Sequence, residues 1–120
     1  MDKLQTLNSF WSGFELKAYD ETSVPDSAVL PYITYEVAED DFDHPIAVTA
    51  SVWYRTTAWT EPIAKAKEIE QAIGRGGKML SYDGGAFWIK KATPWAQHLT
   101  DQDDDSVRRI ILNLEIEYID

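Results

Sequence analysis

The sequence contains no cysteine and no long apolar run, and it has few basic residues. The absence of cysteine excludes disulfides, thiolate zinc sites and cysteine nucleophiles together. No apolar run approaches the roughly 20 residues that a membrane-spanning helix needs. The first residues also lack the charged and apolar blocks of a secretory signal. We therefore expect a protein that is made in the cytoplasm and has no membrane partner.

The scarcity of basic residues gives the chain a strong acidic balance. There are 11 basic against 21 acidic residues, and the formal net charge is −10. An average surface of this sign repels a phosphate backbone, so sequence-specific nucleic-acid binding is not expected. Two interpretations stay open: the charge keeps the protein soluble, or it lets a surface lie close to DNA without adhering to it.

Groups for acid–base or nucleophilic catalysis are also scarce. The chain has two histidines, His44 and His98, and each lies in a polar segment with no nucleophile motif nearby. The glycine-rich residues 74–77 follow a predicted helix, whereas phosphate-binding loops follow a strand and begin a helix. The sequence therefore predicts a protein that is not an enzyme and has no cofactor.

One acidic run superficially resembles a calcium loop. Asp101, Asp103 and Asp105 have the spacing of the first ligands, but the turn glycine is missing. Leu112 occupies the position where such a loop has its closing glutamate. We interpret this run as a solvated acidic loop and predict no metal site.

The clearest structural signal is an alternation of apolar and polar residues over 108–118, which is typical of a strand with one wet face. Such a long strand must pair along its length and have its apolar face covered, so a sheet packed against helices is predicted. The apolar residues of this strand are Ile110, Leu112, Leu114, Ile116 and Tyr118.

Two amphipathic helices are predicted from apolar residues spaced three and four apart. The first covers residues 2–12 and ends near Gly13, and the second begins after Thr60 as N-cap and ends at Gly74. The predicted buried stripes are Leu4, Leu7, Trp11 and Phe14 in the first, and Ile63, Ala66, Ile69, Ala72 and Ile73 in the second.

Other strands are predicted from β-branched and aromatic runs. Strands 32–38 and 46–57 should pair antiparallel across an acidic connection, and strands 78–82 and 87–93 should form a hairpin. A brief extended piece over residues 14–19 is allowed, and residues 20–31 and 94–100 are predicted to be irregular.

The expectation is one domain spanning residues 1–120 with an α+β fold. Its antiparallel or mixed β-sheet has about four to five strands, with two helices packed on one face.

The chain is rich in large aromatic residues, with five tryptophans and six tyrosines. Four tryptophans cannot all be fully buried in one small core, so they are candidates for contacts between subunits, where aromatic residues supply much of the binding energy. An aromatic-rich core of a monomer is the alternative. The four candidates are Trp53, Trp59, Trp88 and Trp95.

Several segments, spread over nearly the whole chain, resemble the small minor structural proteins of long-tailed phages and prophages. Within these proteins the chain is similar to the tail-terminator or tail-completion group, whose members have about this length. The segments that carry the resemblance are the helix 1–11, the strand 30–35, residues 52–55, 73–77 and 84–90, and the final strand 109–118.

The resemblance implies a non-enzymatic virion protein that assembles in the host cytoplasm. Such proteins form a ring, usually a hexamer, that caps the head-proximal end of the tail tube and joins it to the head. The implied partners are further copies of the chain, the tail-tube protein and the head connector or neck protein. Exposed edges of strands 46–57 or 78–93 would provide the ring contacts by strand addition.

The same resemblance gives the acidic residues a role, because DNA must slide through the ring. Carboxylates that line the opening would repel its phosphates. The candidates are Glu39, Asp40, Asp41, Asp101, Asp103, Asp104 and Asp105. Two alternatives remain: another neck or connector protein, such as a head-completion factor, or an unrelated small bacterial protein-binding module.

Overall fold

The computed structural model describes residues 1–38, 45–101 and 103–119. Two helices and six strands follow one another along these residues. Their order is α1 (Lys3–Ser12), β1 (Lys17–Asp20), β2 (Tyr32–Tyr35), β3 (Ile46–Arg55), α2 (Thr60–Ile73), β4 (Lys78–Tyr82), β5 (Gly85–Thr100) and β6 (Val107–Ile119).

The six strands form one sheet in the order β1-β2-β3-β6-β5-β4. β1 pairs parallel with β2, and every other neighbouring pair is antiparallel. The sheet curls into a half-barrel that dominates the molecule, and the two helices are short. The predicted α+β fold with four to five strands was therefore wrong, because β1 is a real strand that adds to β2.

β6 lies at the centre of the sheet, as its alternating sequence requires. It pairs with β3 from Val107 to Ile116 and with β5 from Arg108 to Ile119. Each of its even-numbered side chains from Ile110 to Tyr118 is at most 4% exposed. The predicted apolar face of this strand is confirmed, and it forms the middle of the core.

α1 begins with a complete capping box between Asp2 and Gln5, which satisfies N–H groups that a helix start leaves free. Leu7 and Trp11 are buried, and the Trp11 ring stacks on Tyr35 of β2 with centroids 6.3 Å apart. Leu4 is 55% exposed, so its predicted place in the buried stripe was wrong. The helix contacts β1, β2 and β4, and thus lies across the concave side of the curled sheet.

α2 crosses β3, β6 and β5 on the same side of the sheet. Its N-cap is Trp59 and not Thr60 as predicted, and the Trp59 side chain makes no cap hydrogen bond.

The apolar stripe of α2 is only partly covered by the sheet. Ala66, Ile69 and Ile73 are buried as predicted, whereas Ile63 is 43% exposed. The difference arises because Ile63 lines a groove between α2 and the later part of β5, which has no further strand beside it within the described chain. Ala72 is also exposed, contrary to prediction.

β5 continues through residues 94–100, which were predicted to be irregular. The register shifts between Lys91, which lies opposite Leu114, and Ala96, which lies opposite Leu112. β5 therefore carries a bulge, and Pro94 is tolerated there because a bulged residue need not donate to the ladder. Asn113 of β6 closes the bulge by donating to the carbonyl oxygen of Pro94 at 2.9 Å.

Candidate functional site

Both helices pack on one side of the sheet, and the side chains of the opposite side form what we call the open face. It carries the odd-numbered side chains of β3 and β6, because successive residues of a strand point to opposite sides. Polar and aromatic residues prevail there. Ser51 is buried on this face, at 2% exposed, and it accepts a hydrogen bond from Arg109 Nε at 3.1 Å.

An aromatic strip crosses four strands of the open face; it consists of Tyr19, Tyr32, Trp53 and Arg109. The ring centroids of Tyr19 and Tyr32 are 5.6 Å apart, and those of Tyr32 and Trp53 are 6.3 Å apart. The Arg109 guanidinium lies 4.4 Å from the Trp53 ring. Trp53 also donates through Nε1 to Thr34 Oγ1 at 2.9 Å, which fixes the orientation of the indole. Tyr, Trp and Arg are the residue types that dominate binding energy at protein interfaces.

Arg109 is the cation of this strip. Within the described ranges, no carboxylate lies at ion-pair distance from its guanidinium. Burial lowers the pKa of Arg109, and the negative charge of Glu21 acts in the opposite direction. A surface cavity of about 330 Å³ begins beside it and is lined on the other side by Leu99 and Asp101. The strip therefore ends in a hollow with both apolar and polar walls.

The four candidate tryptophans lie in two places, two in each, and each of the four is half-buried. Trp53 and Trp88 lie on the open face, where Lys90 Nζ is 4.0 Å from the Trp88 ring. Trp59 stacks on His98 with centroids 4.5 Å apart, and Trp95 lines the groove between α2 and β5. Their role in subunit contacts stays a prediction.

The acidic candidates fall in two places in the chain. Glu39, Asp40 and Asp41 lie outside the described residues. Asp101, Asp103, Asp104 and Asp105 lie in the turn from β5 to β6, and all but Asp104 are exposed. A role in lining a bore stays a prediction for all seven.

Asp104 is held in place inside that turn. Its carboxylate accepts hydrogen bonds from the backbone N–H and the hydroxyl of Ser106, and from Arg55 Nη1 at 3.1 Å. These hydrogen bonds, with those from Ser106 contributing most, lower the pKa of Asp104 from 3.8 to about 2. The turn is therefore built around an ionised carboxylate.

The strand edges differ from those predicted. β3 lies between β2 and β6, so its predicted role as an exposed edge was wrong. Two strands do end the sheet, β1 and β4. Because β4 pairs with β5 only from Gly85 to Ile89, β5 has a further unpaired side from Lys90 to Thr100 within the described chain. We call residues 90–100 of β5 the open edge.

A groove of about 200 Å³ runs between α2 and the open edge. We call it the α2–β5 groove. Its walls are mostly apolar, and Ile63 of the helix remains 43% exposed inside it. Lys67, Glu70 and His98 also line it. Exposed apolar walls beside an unpaired strand are typical of a protein-binding surface.

Sequence reasoning did not identify Arg109, Tyr19 or Tyr32 as parts of a site. Their juxtaposition depends on the parallel pairing of β1 with β2, which puts Lys17 opposite Tyr32 and Tyr19 opposite Thr34. A local pattern reveals which face a residue occupies but not which strand lies next to it. The sequence contained one signal for this strip. The alternating pattern places the apolar residue Trp53 and the basic residue Arg109 on the polar faces of their strands.

Two further properties concern metals and membranes. In the part of the chain that the structure describes, no group of three or more metal-binding side chains comes together. Within the same residues, no helix has the length and apolar character needed to cross a membrane.

One chain of a solved structure has the same fold as this chain. A chain of a solved structure described as the virion of a native gene transfer agent particle superimposes with a TM-score of 0.53 and 16% sequence identity. The match covers 86% of this chain and 78% of that chain. What they share is the fold. The sequence matches no protein-family model and no curated protein. The tail-terminator group named from the sequence thus stays a prediction.

Proposed function

We propose that this chain is a non-enzymatic structural protein of a long-tailed phage or prophage, in which it forms a ring that completes the tail tube and joins it to the head. The observation that carries the proposal is the fold shared with a chain of the gene transfer agent virion, over 86% of this chain. The sequence resemblance to tail-terminator proteins supports the same role. The protein would assemble in the host cytoplasm and remain in the virion.

The surface supports assembly with other proteins. The aromatic strip is one candidate interaction surface, and the α2–β5 groove with the adjoining open edge is a second one, on the other side of the sheet. A protein that contacts copies of itself, a tube and a connector needs more than one such surface. A closed ring requires two different surfaces on each subunit that fit one another. The chain offers such surfaces on opposite sides of its sheet.

The acidic turn supports passage of DNA through the ring. Asp101, Asp103 and Asp105 are exposed and close together in sequence, and Asp104 anchors the turn that carries them. Placed at the bore, they would repel DNA phosphates and let the duplex slide. Glu39, Asp40 and Asp41 would add to this lining.

The proposal is tested by mixing the purified protein with tail tubes assembled from the tail-tube protein of the phage or prophage that encodes it. Negative-stain electron microscopy should show a collar at one end of each tube, and tubes grown in its presence should stop lengthening. An unrelated acidic protein of similar size is the control. If the protein stays monomeric and decorates neither end, the proposal is wrong. Binding to tail-free heads instead of tubes would support a head-completion role.

A further inference from the structure

We draw no further inference here: the strongest candidate, the hollow beside Arg109 at the end of the aromatic strip, is lined by Asp101 and Asp103 as well as by that arginine, so its charge selects no partner and nothing among the described residues shows what covers it.

Discussion

At the scale of single residues, Trp11 joins α1 to the sheet. It is 2% exposed, and its ring lies against Phe10, Phe14 and Tyr35 at centroid distances of 4.9, 6.3 and 6.3 Å. We expect Trp11→Ala to lower the free energy of unfolding by about 3–5 kcal/mol, because it removes a large buried side chain and leaves a cavity. Urea unfolding monitored by circular dichroism measures the loss. Trp88→Ala is the control, since Trp88 is only half-buried, and an equal loss in both variants would contradict this account.

Asp104 should produce a pH dependence of stability. Its pKa is depressed in the folded protein to about 2, so its carboxylate stabilises the fold above the ordinary value of 3.8. This contribution is lost as the pH falls from 3.8 towards 2. We expect Asp104→Asn to be less stable than wild type at neutral pH, with the difference in urea midpoint shrinking across that window. Asp105→Asn is the control, because the Asp105 side chain makes no hydrogen bond within the described residues. A difference that stays constant with pH would argue against this role of Asp104.

Burial of a residue could be predicted from the sequence only where neighbouring strands and helices cover the apolar face on which it lies. The even-numbered residues of β6 are buried because strands and helices surround that strand on its apolar face. Leu4 and Ile63 fit the helical period equally well, yet they are 55% and 43% exposed. Each lies on the apolar stripe of its helix beyond the part that the sheet covers. Periodicity defines a stripe, and the packing partner decides how much of it is covered.

At the scale of elements, the turn into β4 depends on Gly77. This residue has φ of 89°, and a Cβ there would lie 2.5 Å from Trp88 Nε1 and 2.7 Å from the Ile89 carbonyl oxygen. Gly77→Ala should therefore destabilise the protein by about 2 kcal/mol or more, because backbone strain and a steric clash add. Thermal unfolding gives the change. Gly76→Ala is the matched control, since a Cβ at Gly76 meets nothing within 4 Å. Similar losses in the two variants would refute the prediction.

The bulge of β5 depends on Asn113. Its side-chain amide donates to the Pro94 carbonyl oxygen at 2.9 Å and to Gln97 Oε1 at 3.0 Å. We expect Asn113→Ala to cost about 1 kcal/mol and to speed amide hydrogen exchange in residues 92–97, because the bulge loses its link to β6. Hydrogen exchange by mass spectrometry locates the effect. Gln97→Ala removes one of the two bonds and should cause a smaller change; faster exchange elsewhere but not at the bulge would count against the assignment.

Elements with a single clear signal were predicted from the sequence, and those with competing signals were not. The hairpin of β4 and β5 was found from its glycine-containing turn, where Gly84 has φ of 95°. The continuation of β5 was missed because Pro94 usually ends a strand, whereas here it lies in a bulge. Whether β3 is an edge or an interior strand depends on β6, which follows it by more than fifty residues. No local pattern carries that information.

At the scale of the whole molecule, the net charge of −10 opposes association of copies. The Debye length falls from about 30 Å at 0.01 M salt to about 8 Å at 0.15 M, so long-range repulsion is screened while contacts at a few ångströms are screened less. We expect self-association to strengthen over this range of salt, as measured by sedimentation equilibrium. Association that weakens steadily with salt would contradict this expectation.

The position of β6 has a consequence for how the protein is made. It is the last of the six strands to be synthesised, yet it separates β1-β2-β3 from β5-β4 in the finished sheet. Until it emerges from the ribosome, the earlier strands form two groups with no strand pairing between them, and their apolar faces lack the neighbour that they share. A nascent chain arrested before Val107 should therefore be bound by chaperones and digested readily by proteases, and both properties should vanish once Ile119 has cleared the exit tunnel.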